Sequence, residues 1–486
     1  MARRVFRPYD PDRPVAGPAD LRTWLPPDHA VYLLSDLVDQ WDLAPILAVY
    51  DQGDGGGNPP YHPLLLTKLL LYAYCQGVVS SRVIAAKTYE DVAFRVLTTD
   101  QHPDFRTISD FRERHLAALT DLFQQVVQLA LRLGLATRAH VAQDGTKVLA
   151  NASKHRAMSY ARMGAAEDRL NREIAALLAA ARAADAAEDT AYGRDHRGDE
   201  RSADLTGEIT RRERRLATIR AAKAALEAEA QADATAIVAA DAAERQRRAT
   251  AGEPKKPGKP PTPSATPDPK RQRNFTDPDS RIMKNADQAF VQAYNGQAAV
   301  DGSGHQIIVG CLVTNQAADA PHLAPMVAQV QATTGWQAPQ WSADSGYFSA
   351  ANVAVREGAG STALIPPDRQ TQAAPLLPPA VAHVLATAGL VAGEAVAGPP
   401  TESAVKAAMR ARLRTDAGRR AYGRRKQTVE PVFGQIKERQ GLRRFLLRGL
   451  VKVAGEWTLW CLTHNLRRIV QALRADPALR LRMGNG

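Results

Sequence analysis

The chain has 486 residues and a formal net charge of +12, and 45% hydrophobic against 23% charged residues excludes a broadly disordered or fibrous protein; the length suggests two to four units. Three cysteines, Cys75, Cys311 and Cys461, lie far apart with no CxxC pair, which argues against a disulfide framework or a thiolate zinc site and points to a reducing compartment. No apolar run reaches the roughly 18–20 residues of a membrane helix, and the N-terminus has no apolar stretch behind its charges, so neither a membrane span nor a secretory signal is expected.

Residues 1–25 read as an irregular Pro/Asp/Arg-rich arm. From about 28 to 135 the period is helical. Val31, Leu34, Leu37 and Val38 recur at helix spacing, and Pro63 opens an apolar run to Tyr74 behind the Gly-rich break 53–60. Ser80 or Ser81 is a candidate cap for a helix to about Asp91, and Thr107 or Ser109 for another past His115. Short helices with interspersed arginines suit a helix-turn-helix-like DNA-binding domain as well as a plain bundle.

At about 138 the pattern changes. His140 to Leu149 reads as a short strand followed by a turn at Asp144-Gly145. Residues 292–300 and 307–313 form two strands around the hairpin signal Asp301-Gly-Ser-Gly304. A helix from Pro321 to about Thr333, a strand at 341–343, a helix at 351–357 and a strand at 363–365 complete a β, β, β, α, β, α, β order. That order implies an α/β fold, a mixed sheet flanked by helices. Between the first strand and the hairpin lies an alanine-rich stretch with Leu170, Ile174, Leu216, Ile219 and Leu226 at helical intervals. It predicts an antiparallel pair of long helices broken near 192–198. Seven prolines between Glu253 and Lys270 then make a basic linker. The expected units are 1–135, an all-α N-terminal domain; 136–159 with 276–475, the sheet domain; 160–275, a long helical insertion; and 476–486, a tail.

The positive charge is regional. Residues 401–486 hold 20 Lys+Arg and six acids, a net +14, so the first 400 residues sum to −2. Such a field suits a surface that meets phosphates, although solvated helix faces would carry the same composition.

Three acids stand out within this plan. Asp144 and Asp344 sit at strand ends, where α/β sheets bind ligands, and Glu430 lies in a basic helix. Converging carboxylates repel unless a divalent cation neutralises them, and magnesium takes oxygen ligands. His155 and His464 have no metal-ligand spacing, and Trp457 and Trp460 read as core.

Asp144-Gly-Thr-Lys147, Asp344-Ser-Gly-Tyr-Phe348 and Val429-Glu-Pro-Val-Phe-Gly-Gln-Ile-Lys437 resemble the signature blocks of the DDE transposases of bacterial insertion sequences. Phe105 to Arg112, Asn151 to Tyr160, Asp277 to Met283, Leu442 to Gly449 and His464-Asn-Leu resemble the same family, so the likeness spans nearly the whole chain. The resemblance implies a ribonuclease H-like core with Asp144, Asp344 and Glu430 as catalytic residues holding two Mg2+ ions, with Mn2+ as a substitute. It also implies double-stranded DNA as partner, both element ends and target, no membrane, a homodimer or higher oligomer on DNA, and a bacterial cytoplasm with association to the nucleoid. The rivals are a magnesium-dependent nuclease of the same fold and an inactive DNA-binding descendant.

Part of the family has a Tyr, an Arg three later, the Glu four after that and a Lys seven further. Tyr422 and Arg425 keep the first spacing, and Glu430 and Lys437 the last. One extra residue separates Arg425 from Glu430, so Lys426 stands where the Arg is expected. Lys437 is expected on nearly the same helix face as Glu430. Arg443, Arg444 and Arg448 complete the expected phosphate contacts.

Overall fold

The computed structural model describes residues 20–50, 60–192, 202–252, 254–256, 258–285, 287–368 and 404–483. The Gly-rich break at 53–59, the helix break near 193–198 and the excursion at 370–400 lie outside them.

After a 3-10 turn at Leu21–Trp24 come seven α-helices: α1 (Ala30–Asp39), α2 (Ala44–Leu47), α3 (Pro63–Cys75), α4 (Ser81–Glu90), α5 (Val92–Leu97), α6 (Phe105–Arg114) and α7 (Ala118–Arg132). Helix α6 begins ahead of the expected Thr107 or Ser109. Asp104 caps it instead, its side chain accepting the Arg106 N–H at 2.8 Å, because a carboxylate there satisfies an otherwise orphan donor. Ser80 holds the cap position of α4 without a side-chain bond. The apolar stripes of these helices join one continuous hydrophobic core with the sheet that follows.

The sheet is built from β1 (His140–Leu149), β4 (Arg281–Lys284), β5 (Phe290–Asp301), β6 (Ile308–Thr314), β7 (Gln340–Ser342) and β8 (Thr362–Leu364). Two further strands, β2 (Ala157–Ser159) and β3 (Gln272–Asn274), pair with each other apart from it. Strand β5 runs antiparallel to β1 over nine residue pairs, and β4 and β6 share its other edge, one beside each half. On the opposite side β7 and β8 run parallel to β1. Helix α10 (Leu323–Thr334) lies between β6 and β7, and α11 (Ala350–Gly358) between β7 and β8. The turn expected after Asp144 is absent. Strand β1 continues to Leu149, and Gly145 is a strand residue facing Gln297, where a Cβ would stand 2.4 Å from Nε2. Glycine serves there for close approach, not for a turn.

Helices α8 (Tyr160–Tyr192) and α9 (Ser202–Thr250) pair along a small core of their own, with Met163, Leu170, Leu216, Ile219 and Leu226 at its centre. The β2–β3 ladder closes the base of this insertion. Glu229 of α9 reinforces it by pairing with Arg271, Arg273 and Arg281. The Pro-rich segment runs back along α9, where Lys256 pairs with Asp241.

The C-terminal segment holds α12 (Ala404–Arg414), α13 (Asp416–Thr428), α14 (Glu430–Gly434), a π-helical turn at Gln435–Arg439, α15 (Leu450–Ala475) and α16 (Pro477–Met483). Helix α15 is buried along most of its length. Trp457 packs on β5 where Gly296 leaves room, a Cβ there being 3.1 Å from the ring, and its Nε1 donates to Gln297 O at 3.0 Å. Trp460 and His464 are also buried, so the core reading of both tryptophans agrees with their burial. The acids of the Asp277 to Met283 block anchor this helix. Asp277 accepts from Gly449 N at 3.1 Å and Asp279 from Leu450 N at 2.9 Å.

Candidate active site

The site begins where β1 and β7 part. Their parallel register ends at Ala142 opposite Ser342. Carried two residues further, that register sets Asp144 beside Asp344. Asp344 does not continue the strand. It caps a 3-10 turn at Ser345–Tyr347, accepting from Gly346 N at 2.9 Å. The outgoing edge of β1 is thereby left open beside the acids, the crevice position expected at strand carboxyl ends.

The third acid arrives from the C-terminal segment. Helix α13 ends at Thr428, Val429 breaks the path, and Glu430 is the first residue of α14. Between Glu430 and the strand lies Arg425, only 7% exposed. Its Nη1 donates to Asp144 Oδ2 at 2.9 Å and its Nη2 to Glu430 Oε1 at 3.3 Å, with Glu430 itself 49% exposed. The Tyr422 ring lies under this guanidinium at 5.8 Å. Arg425 therefore takes the position for which the spacing nominated Lys426, which is exposed. The extra residue is absorbed by the break at Val429, which a count along an unbroken helix cannot register.

Burial pushes the Asp144 carboxyl up to about 6, with Arg425 opposing the rise and Asp344 adding to it. Burial also raises Asp344, and the charge of Asp319 adds to that. Asp319 escaped sequence reasoning. It stands between β6 and α10, and its Oδ1 accepts from Lys147 Nζ (3.2 Å), Asn295 Nδ2 (2.7 Å) and Gln297 Nε2 (2.9 Å). The strand-to-helix rule that singled out Asp144 and Asp344 would have found it in Asn315-Gln-Ala-Ala-Asp319-Ala-Pro. Beneath the acids Gln297 also meets Tyr347 and Gln143, and Trp341 Nε1 donates to Gln143 at 3.2 Å, so a buried polar network supports the crevice.

Lys437 follows Glu430 along one helical run that passes from α14 into the π turn, and it lies within that turn. Its Nζ donates to Thr146 Oγ1 on β1, two residues from Asp144. Of the other expected contacts, exposed Arg443 pairs with Glu438, and Arg448 donates to Asn151 O at 2.9 Å. The loop carrying Arg443, Arg444 and Arg448 is fixed by Glu456 of α15, a buried carboxylate that accepts the N–H groups of Leu446 and Leu447.

Among the described residues no three His, Cys, Asp or Glu side chains are close enough together to hold a metal ion. Asp144 and Glu430 instead meet through Arg425. The chemistry of the donors nonetheless suits magnesium: three carboxylates, all oxygen, with Asp144 in a buried position where its negative charge needs a cation. The guanidinium supplies that charge here.

Two family models match the chain. A transposase DDE domain matches residues 396–470, the segment that carries Glu430, Arg425 and Lys437, and a transposase domain (DUF772) matches residues 19–114. No curated protein and no solved structure matches it. No helix among the described residues is long and apolar enough to cross a membrane.

Proposed function

We propose that this chain, with its two transposase-family segments, is a DDE transposase that binds the terminal inverted repeats of an insertion sequence and cleaves and joins DNA strands. Its core is a ribonuclease H-like sheet, and Asp144, Asp344 and Glu430 are its catalytic carboxylates. One observation carries this reading: Glu430, 286 residues beyond Asp144 in sequence, shares the buried Arg425 guanidinium with it at the edge where β1 outruns β7, and the charge of Asp344 acts on both Asp144 and Arg425. The strand order supports the core, with β7 and β8 parallel to β1 and β5 antiparallel to it.

Asp144, Asp344 and Glu430 would hold two magnesium ions, which when bound stabilise the attacking and leaving oxygens of an in-line phosphoryl transfer. The chain's own residues position the DNA. Lys437, held against Thr146, presents an ammonium near the acids, and Arg443, Arg444 and Arg448 extend the positive charge beyond the end of β1. The N-terminal helices bind the repeats. Because two element ends must be joined, the working form is a dimer or higher assembly on DNA.

The test is a product analysis. The protein is incubated with Mg2+, a linear DNA carrying the sequences that flank the gene, and a circular target. Strands joined to the circle support transposition. Free ends alone would make the chain a nuclease, and intact bound DNA would make it a DNA-binding protein without catalysis.

A further inference from the structure

Beyond the acids, β1 leads into a groove of about 680 Å³ at its carboxyl end. Lys154, His155, Arg444 and Arg448 line it, and no carboxylate does. Lys154, His155 and Arg444 are exposed, and their side chains make no hydrogen bond or ion pair among the described residues. On its rim stands Phe290, the first residue of β5 and 74% exposed. Its cross-strand partner in the β4–β5 hairpin is Lys284, also exposed. An aromatic ring left in water costs the free energy its burial would release, and nothing in the described chain covers it. Cations lining a groove with an aromatic face at the edge are the elements of a site for unpaired nucleotides. The cations track the backbone and the ring stacks on a base of any identity.

We propose that this groove is a binding site for an unpaired nucleotide of the DNA, with Phe290 as the stacking face and Lys154, Arg444 and Arg448 on the flanking phosphates. Its place on the DNA rests on the function proposed above. Asp144 faces Ala298 on β5, and Phe290 stands eight residues along that strand from Ala298, about 27 Å at the rise of an extended strand. At about 3.4 Å per base pair the stacked base lies roughly eight base pairs from the cleaved bond.

The test uses the full chain in EDTA, so that cleavage has no part in it, and two fluorescent probes of about 20 nucleotides. One is a thymidine oligonucleotide and the other a fully paired duplex. Phe290→Ala should weaken binding of the single strand roughly tenfold and leave duplex binding within about twofold. Phe290→Trp should restore the single strand, and Arg444→Ala should weaken both probes. Absence of single-strand binding by the wild-type chain overturns the proposal. So does a Phe290→Ala effect that is nil, or equal on both probes. Failure of the catalytic reading appears elsewhere, as DNA left uncut in magnesium, and leaves these outcomes unchanged.

Discussion

Replacing Arg425 by alanine removes the one cation that both Asp144 and Glu430 touch. The Asp144 contact is largely buried on both sides, and breaking such a pair by deleting one partner costs about 3–5 kcal/mol, because the other charge is left uncompensated. Glu430 is half exposed, so its share stays within about 1 kcal/mol. The variant should therefore lose about 3 kcal/mol in EDTA, read by chemical denaturation. A divalent cation should return most of it. Manganese at about a hundred times its dissociation constant adds about 2.7 kcal/mol to any state that binds it. In the wild-type chain the guanidinium must first leave the carboxylates, so the same manganese should add less. Equal stability of the two proteins in EDTA, or an equal gain from manganese, would refute the idea that Arg425 stands where the metal's charge is needed.

Further outcomes follow from the same geometry. The Asp144 carboxyl, raised to about 6, adds stability that is complete below its unfolded value near 4 and is lost as pH rises through 6. Relative to Asp144→Asn, the metal-free wild type should thus lose up to about 3 kcal/mol between pH 4 and 7, and a flat difference would contradict the shift. Because a ligand carboxylate must be ionised, the magnesium concentration that half-saturates cleavage should rise about tenfold per unit below pH 6. Gly145→Ala would drive a Cβ to 2.4 Å from Gln297 Nε2 and should cost about 1–3 kcal/mol by overpacking, measured as a lower denaturation midpoint. Asp319→Ala leaves Lys147, Asn295 and Gln297 without their shared acceptor and should cost about 2–3 kcal/mol by the same measurement.

Strands β1, β5 and β6 were legible because they are long, and the three-residue β7 and β8 because each is a short apolar stretch set between helical segments. The Asp301 to Gly304 hairpin and the parallel strands at 340–342 and 362–364 fall within two residues of expectation. The long helices of the insertion announced themselves by length and period. The ladder at its base did not, since three-residue strands such as Ala157–Ser159 carry no period to read. Asp144 does lie on the predicted strand, although its Gly145 was misread as a turn. In sequence a glycine after an aspartate signals a turn. In space it makes room for Gln297 and Asp319.

Around the site, what stayed hidden depended on breaks in regular geometry. Counting from Arg425 to Glu430 meets a break, because Val429 separates α13 from α14. In the sequence Glu456 is only one of the six acids counted after residue 400. It is a buried acceptor for two backbone N–H groups, a role set wholly by a loop ten residues earlier in the chain.

The central claim is that Asp144, Asp344 and Glu430 form one metal-dependent centre for cutting DNA. The most direct measurement compares Mg2+-dependent cleavage of DNA from the flanks of the gene by the wild-type chain with cleavage by Asp144→Asn, Asp344→Asn and Glu430→Gln, with DNA binding followed in parallel. Each substitution should abolish cleavage and leave binding largely intact. Wild-type cleavage by any one of the three would remove that residue from the centre and contradict the account.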